Sequence, residues 1–196
     1  MKNIKKLLCV TLLLTIIGCG GGNKKPEKVT ITNSVPLESV RADMSKYTWI
    51  EEPYGDFEEI TLAQASQLIK EKGSGIIYIG YVTCPFCERA IPLLNEVAVE
   101  YGVPIYYVDA HSDRAPTDQE LDEFIELADS TFDVDEYGEK AFLVPEVIGV
   151  KQGELVAWQV SLVDGFHLED ETSQMTDQQK EELKEIYREI ILKTAD

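Results

Sequence analysis

The sequence predicts an α/β domain in which helices flank a mixed central sheet. Three observations carry that expectation. Two nearly unbroken apolar runs, Gly75–Val82 and Val103–Val108, are separated by a helical stretch, as expected for buried parallel strands joined by a crossover. Near the C-terminus, Val147–Val150 and Glu154–Val160 are joined at Lys151-Gln152-Gly153, a tight turn with glycine where positive φ is tolerated, so these two strands pair as a hairpin. The chain of 196 residues, 44% hydrophobic, is long enough for one domain with a real core plus extensions.

The elements follow in order. Residues 29 to 60 read least clearly: Val29–Thr32 and Tyr47–Ile50 are candidate short strands, and Glu51–Glu59 is an acidic stretch expected to be a solvated loop. Thr61 and Gln64 form a capping box for a helix with Leu62, Ala65, Leu68 and Ile69 on one face, which Gly73 is expected to stop. After the first central strand, a second helix runs from about Cys84 to Tyr101 with Ile91, Leu94, Val97, Ala98 and Tyr101 inward and Gly102 at its end. Asp118–Asp129 forms an acidic helix with Leu121, Phe124, Ile125 and Ala128 inward. Thr176 and Gln179 cap a last helix whose apolar face is Leu183, Ile186, Tyr187, Ile190 and Ile191. The order is α-β-α-β-α-β-β-α, without an internal repeat.

Charge and the four cysteines narrow the function classes. With 36 acidic residues against 18 Lys and Arg, the formal net charge is -18. Nucleic-acid binding is excluded, because phosphate contacts require clustered basic residues. Residues 1–18 read as an export signal: Lys2, Lys5 and Lys6, then an apolar run from Leu7 to Ile17 that is short for a permanent span. The ending Ile16-Ile17-Gly18-Cys19 resembles a bacterial lipobox, which implies lipidation of Cys19 and a protein held at the extracytoplasmic face of the cell membrane. Two acyl chains suffice for stable anchoring. Loss of three lysines and no acid takes the net charge from -18 to -21. Residues 19–28 then form a flexible tether, with Lys24, Lys25 and Lys28 near the headgroups, 29–60 an N-terminal extension, and 61–196 the folded domain. Cys9 leaves with the signal, so Cys84 and Cys87 are the remaining thiols.

Thr83-Cys84-Pro85-Phe86-Cys87 lies at the strand-to-helix junction. A sulfur in the first turn of a helix meets free N–H groups and the positive end of the helix dipole, so the Cys84 thiolate is favoured and its pKa falls below about 8.5. Pro85 suits the first helical position, where its missing N–H costs nothing. The two-residue spacer returns Cys87 to the same side one turn on, within reach of Cys84, which suits a disulfide that opens and closes by thiol exchange. A zinc half-site is the weaker reading, since His111 and His167 lack ligand spacing to the pair. A purely structural disulfide would gain little from so short a loop.

These residues resemble the thioredoxin superfamily. Besides the CxxC, Pro92 matches the family's helix-kinking proline, Val144-Pro145 its cis-proline facing the active-site pair, and Lys151-Gln152-Gly153-Glu154 its terminal hairpin. The resemblance covers about residues 60 to 194. It implies a thioredoxin-like fold, thiol–disulfide exchange at Cys84 and Cys87, substrate contact at Val144, Pro145, Pro85 and Phe86, and no cofactor. Partners would be cysteine-containing client proteins and an electron-transfer partner. The chain also departs from the family. Tyr78 stands where a buried Asp assists proton transfer from the resolving thiol, so that carboxylate is absent or supplied elsewhere. Ser161 replaces a glycine at a strand end, and the segment from Asp109 to Pro145 is longer and more acidic. Lipobox, tether and spacer are also similar to exported thioredoxin-like proteins of Gram-positive bacteria, including bacteriocin transport accessory proteins.

Two readings of different class follow. One is a membrane-anchored thiol–disulfide oxidoreductase, whose direction depends on its reduction potential relative to its electron partner. The other is a thioredoxin-fold accessory or binding module of an export system without redox turnover; metal delivery through the two thiols is a third. Asp133–Gly138 imitates the start of a calcium loop but has Val144 where a bidentate Glu is needed. His111 is expected in a solvated loop, and Trp49 and Trp158 are expected to pack.

Overall fold

A computed structural model describes residues 27–112, 116–132, 140 and 142–196. The lipobox, the signal and the calcium-like segment lie outside these residues. Among the described residues no helix is long and apolar enough to cross a membrane.

Among the described residues six strands form one sheet. β1 (Val40–Arg41) and β2 (Asp56–Glu59) come first, followed by β3 (Gly75–Gly80), β4 (Pro104–Asp109), β5 (Glu146–Lys151) and β6 (Glu154–Val160). Their spatial order is β1-β2-β4-β3-β5-β6. β2, β4 and β3 run parallel, while β5 and β6 run antiparallel beyond β3. Four α-helices cover the sheet: α1 (Leu62–Lys70), α2 (Pro85–Tyr101), α3 (Asp118–Leu127) and α4 (Asp177–Thr194). This mixed sheet flanked by helices is the thioredoxin-like fold expected from the sequence.

Alternation along the strands sorts the core into two layers. Ile76, Tyr78 and Val147 face α2 and α4, where they pack with Ile91, Leu94, Leu183 and Ile190. Ile77, Ile79 and Ile148 face α1 and α3 and meet Leu68, Ala65 and Phe124. Every residue of β3 is buried, which explains why its sequence shows no alternation. Capping boxes start three helices, at Thr61/Gln64, Thr117/Glu120 and Thr176/Gln179. In the β5–β6 turn both Gln152 and Gly153 have positive φ, 52° and 80°, which matches the twist of the paired strands. Helix α1 stops earlier than Gly73: Lys72 takes the left-handed conformation, and the Gly73 N–H closes the end on the Leu68 carbonyl at 2.8 Å.

The expectations for residues 29 to 60 need correction. Val29–Thr32 is not a strand. Its chain neighbours are helix ends, with Val29 N–H donating to the Tyr101 carbonyl and Asp196 N–H to the Thr30 carbonyl, so no ladder forms. Nor is Tyr47–Ile50: it follows a short 3-10 turn, Met44–Lys46, and the Thr48 N–H donates to the Glu88 carboxylate of α2 at 2.8 Å. Conversely, the acidic stretch is not all loop, because Asp56–Glu59 is β2, in register with Pro104–Tyr107. One residue explains this: Phe57 is 0% exposed and carries the strand's apolar contact, while the carboxylates flank it. Residues read as an extension thus supply two strands of the sheet. Asn95 of α2 secures the approach, accepting from Gly55 N–H at 2.7 Å and donating to the Pro53 carbonyl at 3.2 Å.

Candidate active site

β3 delivers the chain to the site. After Gly80 it turns through Tyr81–Thr83, and the Cys84 N–H donates to the Tyr81 carbonyl at 3.1 Å. Cys84 has extended backbone angles and is the N-cap of α2, with Pro85 at the first helical position. Its sulfur occupies the place of a capping oxygen: the Cys87 N–H donates to Cys84 Sγ at 3.2 Å. Both cysteines are free thiols, Cys84 3% and Cys87 0% exposed.

The two thiols are pushed in opposite directions. The Cys84 thiol is pulled down to about 7, first by a hydrogen bond from the Cys87 thiol and then by the backbone N–H groups of Cys87 and Phe86; burial and the Glu88 carboxylate work against this. Cys87 moves far upward, chiefly through burial and then through the anion on Cys84, while the Tyr78 hydroxyl opposes the shift. One anion shared at the helix N-terminus therefore resides on Cys84. Removing the charge of Glu88 tests this electrostatic arrangement: in Glu88→Gln the pH midpoint of Cys84 alkylation is expected to move below that of the native chain, and an upward or absent shift contradicts it.

Facing the pair is the Val144–Pro145 peptide, which is cis. The Cys84 thiol points at the Val144 carbonyl, 3.9 Å away. Val144 is partly exposed, Pro145 is buried, and the preceding Leu143 is 48% exposed. The structure thus brings Cys84, Cys87, Pro85, Phe86, Val144 and Pro145 together. Phe86 meets Phe166 edge-on, with ring centroids 6.4 Å apart. Ser161 holds φ at 61° and donates its N–H to the Pro145 carbonyl at 2.7 Å, tying β6 to the proline loop. Pro92 lies inside α2.

Several neighbours were not foreseen. His111 is exposed in the turn after β4, as expected, but it also stacks on Tyr81 with ring centroids 3.7 Å apart, and the Tyr81 pKa is raised by burial and then by Cys84. Its place follows from β4 lying beside β3, which a linear reading does not display. Trp49 packs as expected, with the Arg89 guanidinium 4.5 Å over its ring. Arg89 in turn donates to the carbonyls of Pro85, Glu171 and Ser173, clamping the first turn of α2 to the loop before α4. A cleft of about 490 Å³ lies beside this clamp, between Trp49, Glu52, Glu88, Pro92 and Met175. Trp158 does not pack as expected; it is 41% exposed on the edge strand β6. Glu146, the first residue of β5, is fully buried with neither carboxylate oxygen hydrogen-bonded, and burial pushes its pKa up to about 7. Among the described residues no group of three or more His, Cys, Asp or Glu side chains is placed to hold a metal ion.

Fold and site together define a thioredoxin-like domain carrying a buried CxxC dithiol at a helix N-terminus. The structure of thioredoxin from Aeropyrum pernix is similar in part, with a TM-score of 0.36 and 24% identity over 52% of this chain and 73% of that one. No family model and no curated protein matches the sequence.

Proposed function

We propose that this protein is a membrane-anchored, extracytoplasmic thiol–disulfide oxidoreductase acting on cysteine-containing proteins through Cys84 and Cys87. One observation carries the reading: Cys84 Sγ caps α2, accepts the Cys87 N–H, and has its pKa pulled down to about 7 while Cys87 keeps its proton. In the reducing direction the Cys84 thiolate attacks one sulfur of a client disulfide, forming a mixed disulfide and expelling the other client sulfur as a thiolate. Cys87 then loses its proton and attacks Cys84. The new Cys84–Cys87 bond releases the second client thiolate, so the client is reduced and the protein oxidised by two electrons. The oxidising direction is the reverse. Leu143, 48% exposed, and the partly exposed Val144 would align an extended client segment beside the sulfur. Anchoring through lipid on Cys19 rests on the sequence ending Ile16-Ile17-Gly18-Cys19.

Trapping tests the proposal. Cys87→Ser removes the resolving thiol, so mixed disulfides through Cys84 are expected to accumulate in cells and to vanish on reduction. Function retained in a Cys84→Ala/Cys87→Ala chain, with no trapped species in Cys87→Ser, would instead support an accessory module without redox turnover.

A further inference from the structure

We propose that Tyr78 is the positioning residue of the resolving thiol: its hydroxyl donates a hydrogen bond to the Cys87 sulfur as that sulfur becomes a thiolate and attacks the mixed disulfide on Cys84. The inference rests on the oxidoreductase reading and adds to it the group that acts on Cys87.

Three features of the interior converge on this role. Tyr78 lies mid-strand in β3, is 0% exposed, and its hydroxyl makes no hydrogen bond of ordinary geometry in the dithiol state, with Cys87 and the Tyr47 hydroxyl as its polar neighbours. A buried hydroxyl left without a partner is destabilising, so a state in which it finds an acceptor is favoured relative to this one. The acceptor is adjacent. A methyl group on Gly80 would stand 2.6 Å from Tyr78 Oη and 3.1 Å from Cys87 Sγ, so both atoms border one small gap that the missing side chain of Gly80 keeps open. The ring itself is held in place: Tyr107 stacks on it with centroids 5.6 Å apart, and the Tyr107 and Tyr47 hydroxyls are 3.2 Å apart.

The Tyr78 hydroxyl donates and does not act as the base, because burial raises its pKa well above the ordinary value. In the mixed disulfide the Cys84 sulfur is bonded and neutral, so the anion that helped hold the Cys87 proton is gone. That proton passes to water. The thiolate left on Cys87 accepts the Tyr78 O–H, attacks Cys84 Sγ, and forms the Cys84–Cys87 bond as the bond to the client sulfur breaks. The client leaves as a thiolate and takes a proton from solvent.

Acid-quenched mass spectrometry of the reduced full-length chain mixed with oxidised glutathione reads the Cys84–glutathione adduct directly. In Tyr78→Phe the ring remains and only the hydroxyl is lost, so the fold is kept, and the adduct is expected to decay tenfold to a hundredfold more slowly than in the native chain, the range of a hydrogen bond to a charged group. Its decay should also require higher pH, while the pH midpoint of Cys84 alkylation stays unchanged. Gly80→Ala, which wedges a methyl between hydroxyl and sulfur, should slow the same step with Tyr78 intact. Decay of the Tyr78→Phe adduct at the native rate and with the native pH profile overturns the inference and leaves the oxidoreductase reading standing. A native chain that forms no adduct, or forms one it never resolves, overturns both.

Discussion

Replacing Cys84 with Ser is expected to lower the rate of exchange with a small disulfide by at least about a thousandfold, because a hydroxyl at neutral pH supplies almost no anion for attack. The same sulfur sets the pH dependence in the native chain. Alkylation of Cys84 by iodoacetamide, followed by mass spectrometry, should track its ionised fraction with a midpoint at about 7. Roughly half of the sulfur is then thiolate at neutral pH, against a few per cent for a thiol of pKa about 8.5. A midpoint at the ordinary value would remove the argument from helix capping, since the Cys87 N–H at 3.2 Å would then do nothing for the anion. The pH dependence of stability of the dithiol has a definite sign. A folded-state pKa of about 7 lies below the unfolded value, so the Cys84 contribution is fully present above about pH 8.5 and is lost as pH falls through about 7.

What could be read from the sequence was whatever local chemistry determines. The capping boxes at Thr61/Gln64 and Thr176/Gln179, the continuous apolar run of β3 and the turn at Lys151-Gln152-Gly153 each announce an element through neighbours a few residues apart. The placement of Cys84 at the start of α2 was legible for the same reason, because a strand followed by Cys-Pro leaves a helix N-terminus at that point. β2 was not legible, since Phe57 is the one apolar residue among four and the strand forms only because β4 presents an edge to it. Tertiary pairing also hid the stacking of His111 on Tyr81, which requires β4 to end beside β3. Trp158 misled in the other direction: a large aromatic in an apolar strand reads as core, yet β6 is an edge strand and leaves it 41% exposed. Tyr78 reads in the sequence as an apolar strand position, and its relation to Cys87 follows from α2 lying across β3.

The second large effect concerns Glu146, which the sequence presents as an ordinary acid after Pro145. In the sheet it pairs with Ile79 and points with it toward the α1 and α3 face, where its oxygens make no hydrogen bond of ordinary geometry and the Thr131 hydroxyl is the neighbour that opposes the effect of burial. Burial lifts its pKa to about 7, whereas in the unfolded chain it titrates at about 4.3. Between those values the native state holds a proton that the unfolded state has lost, so stability falls as pH rises through this window and stays lowered above it. The loss is about 3 kcal/mol. Glu146→Gln removes the titration. The variant is expected to match the native chain near pH 4 and to exceed its stability at pH 8 by about 3 kcal/mol, since any cost of burying the amide is the same at both pH values. Urea unfolding of both reduced chains at the two pH values measures this. Comparing them at each pH cancels the Cys84 titration, which has the opposite sign, and leaves Glu146 alone. An equal difference at pH 4 and pH 8 would show that the carboxylate is solvated or paired in solution, and that its position at the start of β5 costs the fold nothing electrostatic.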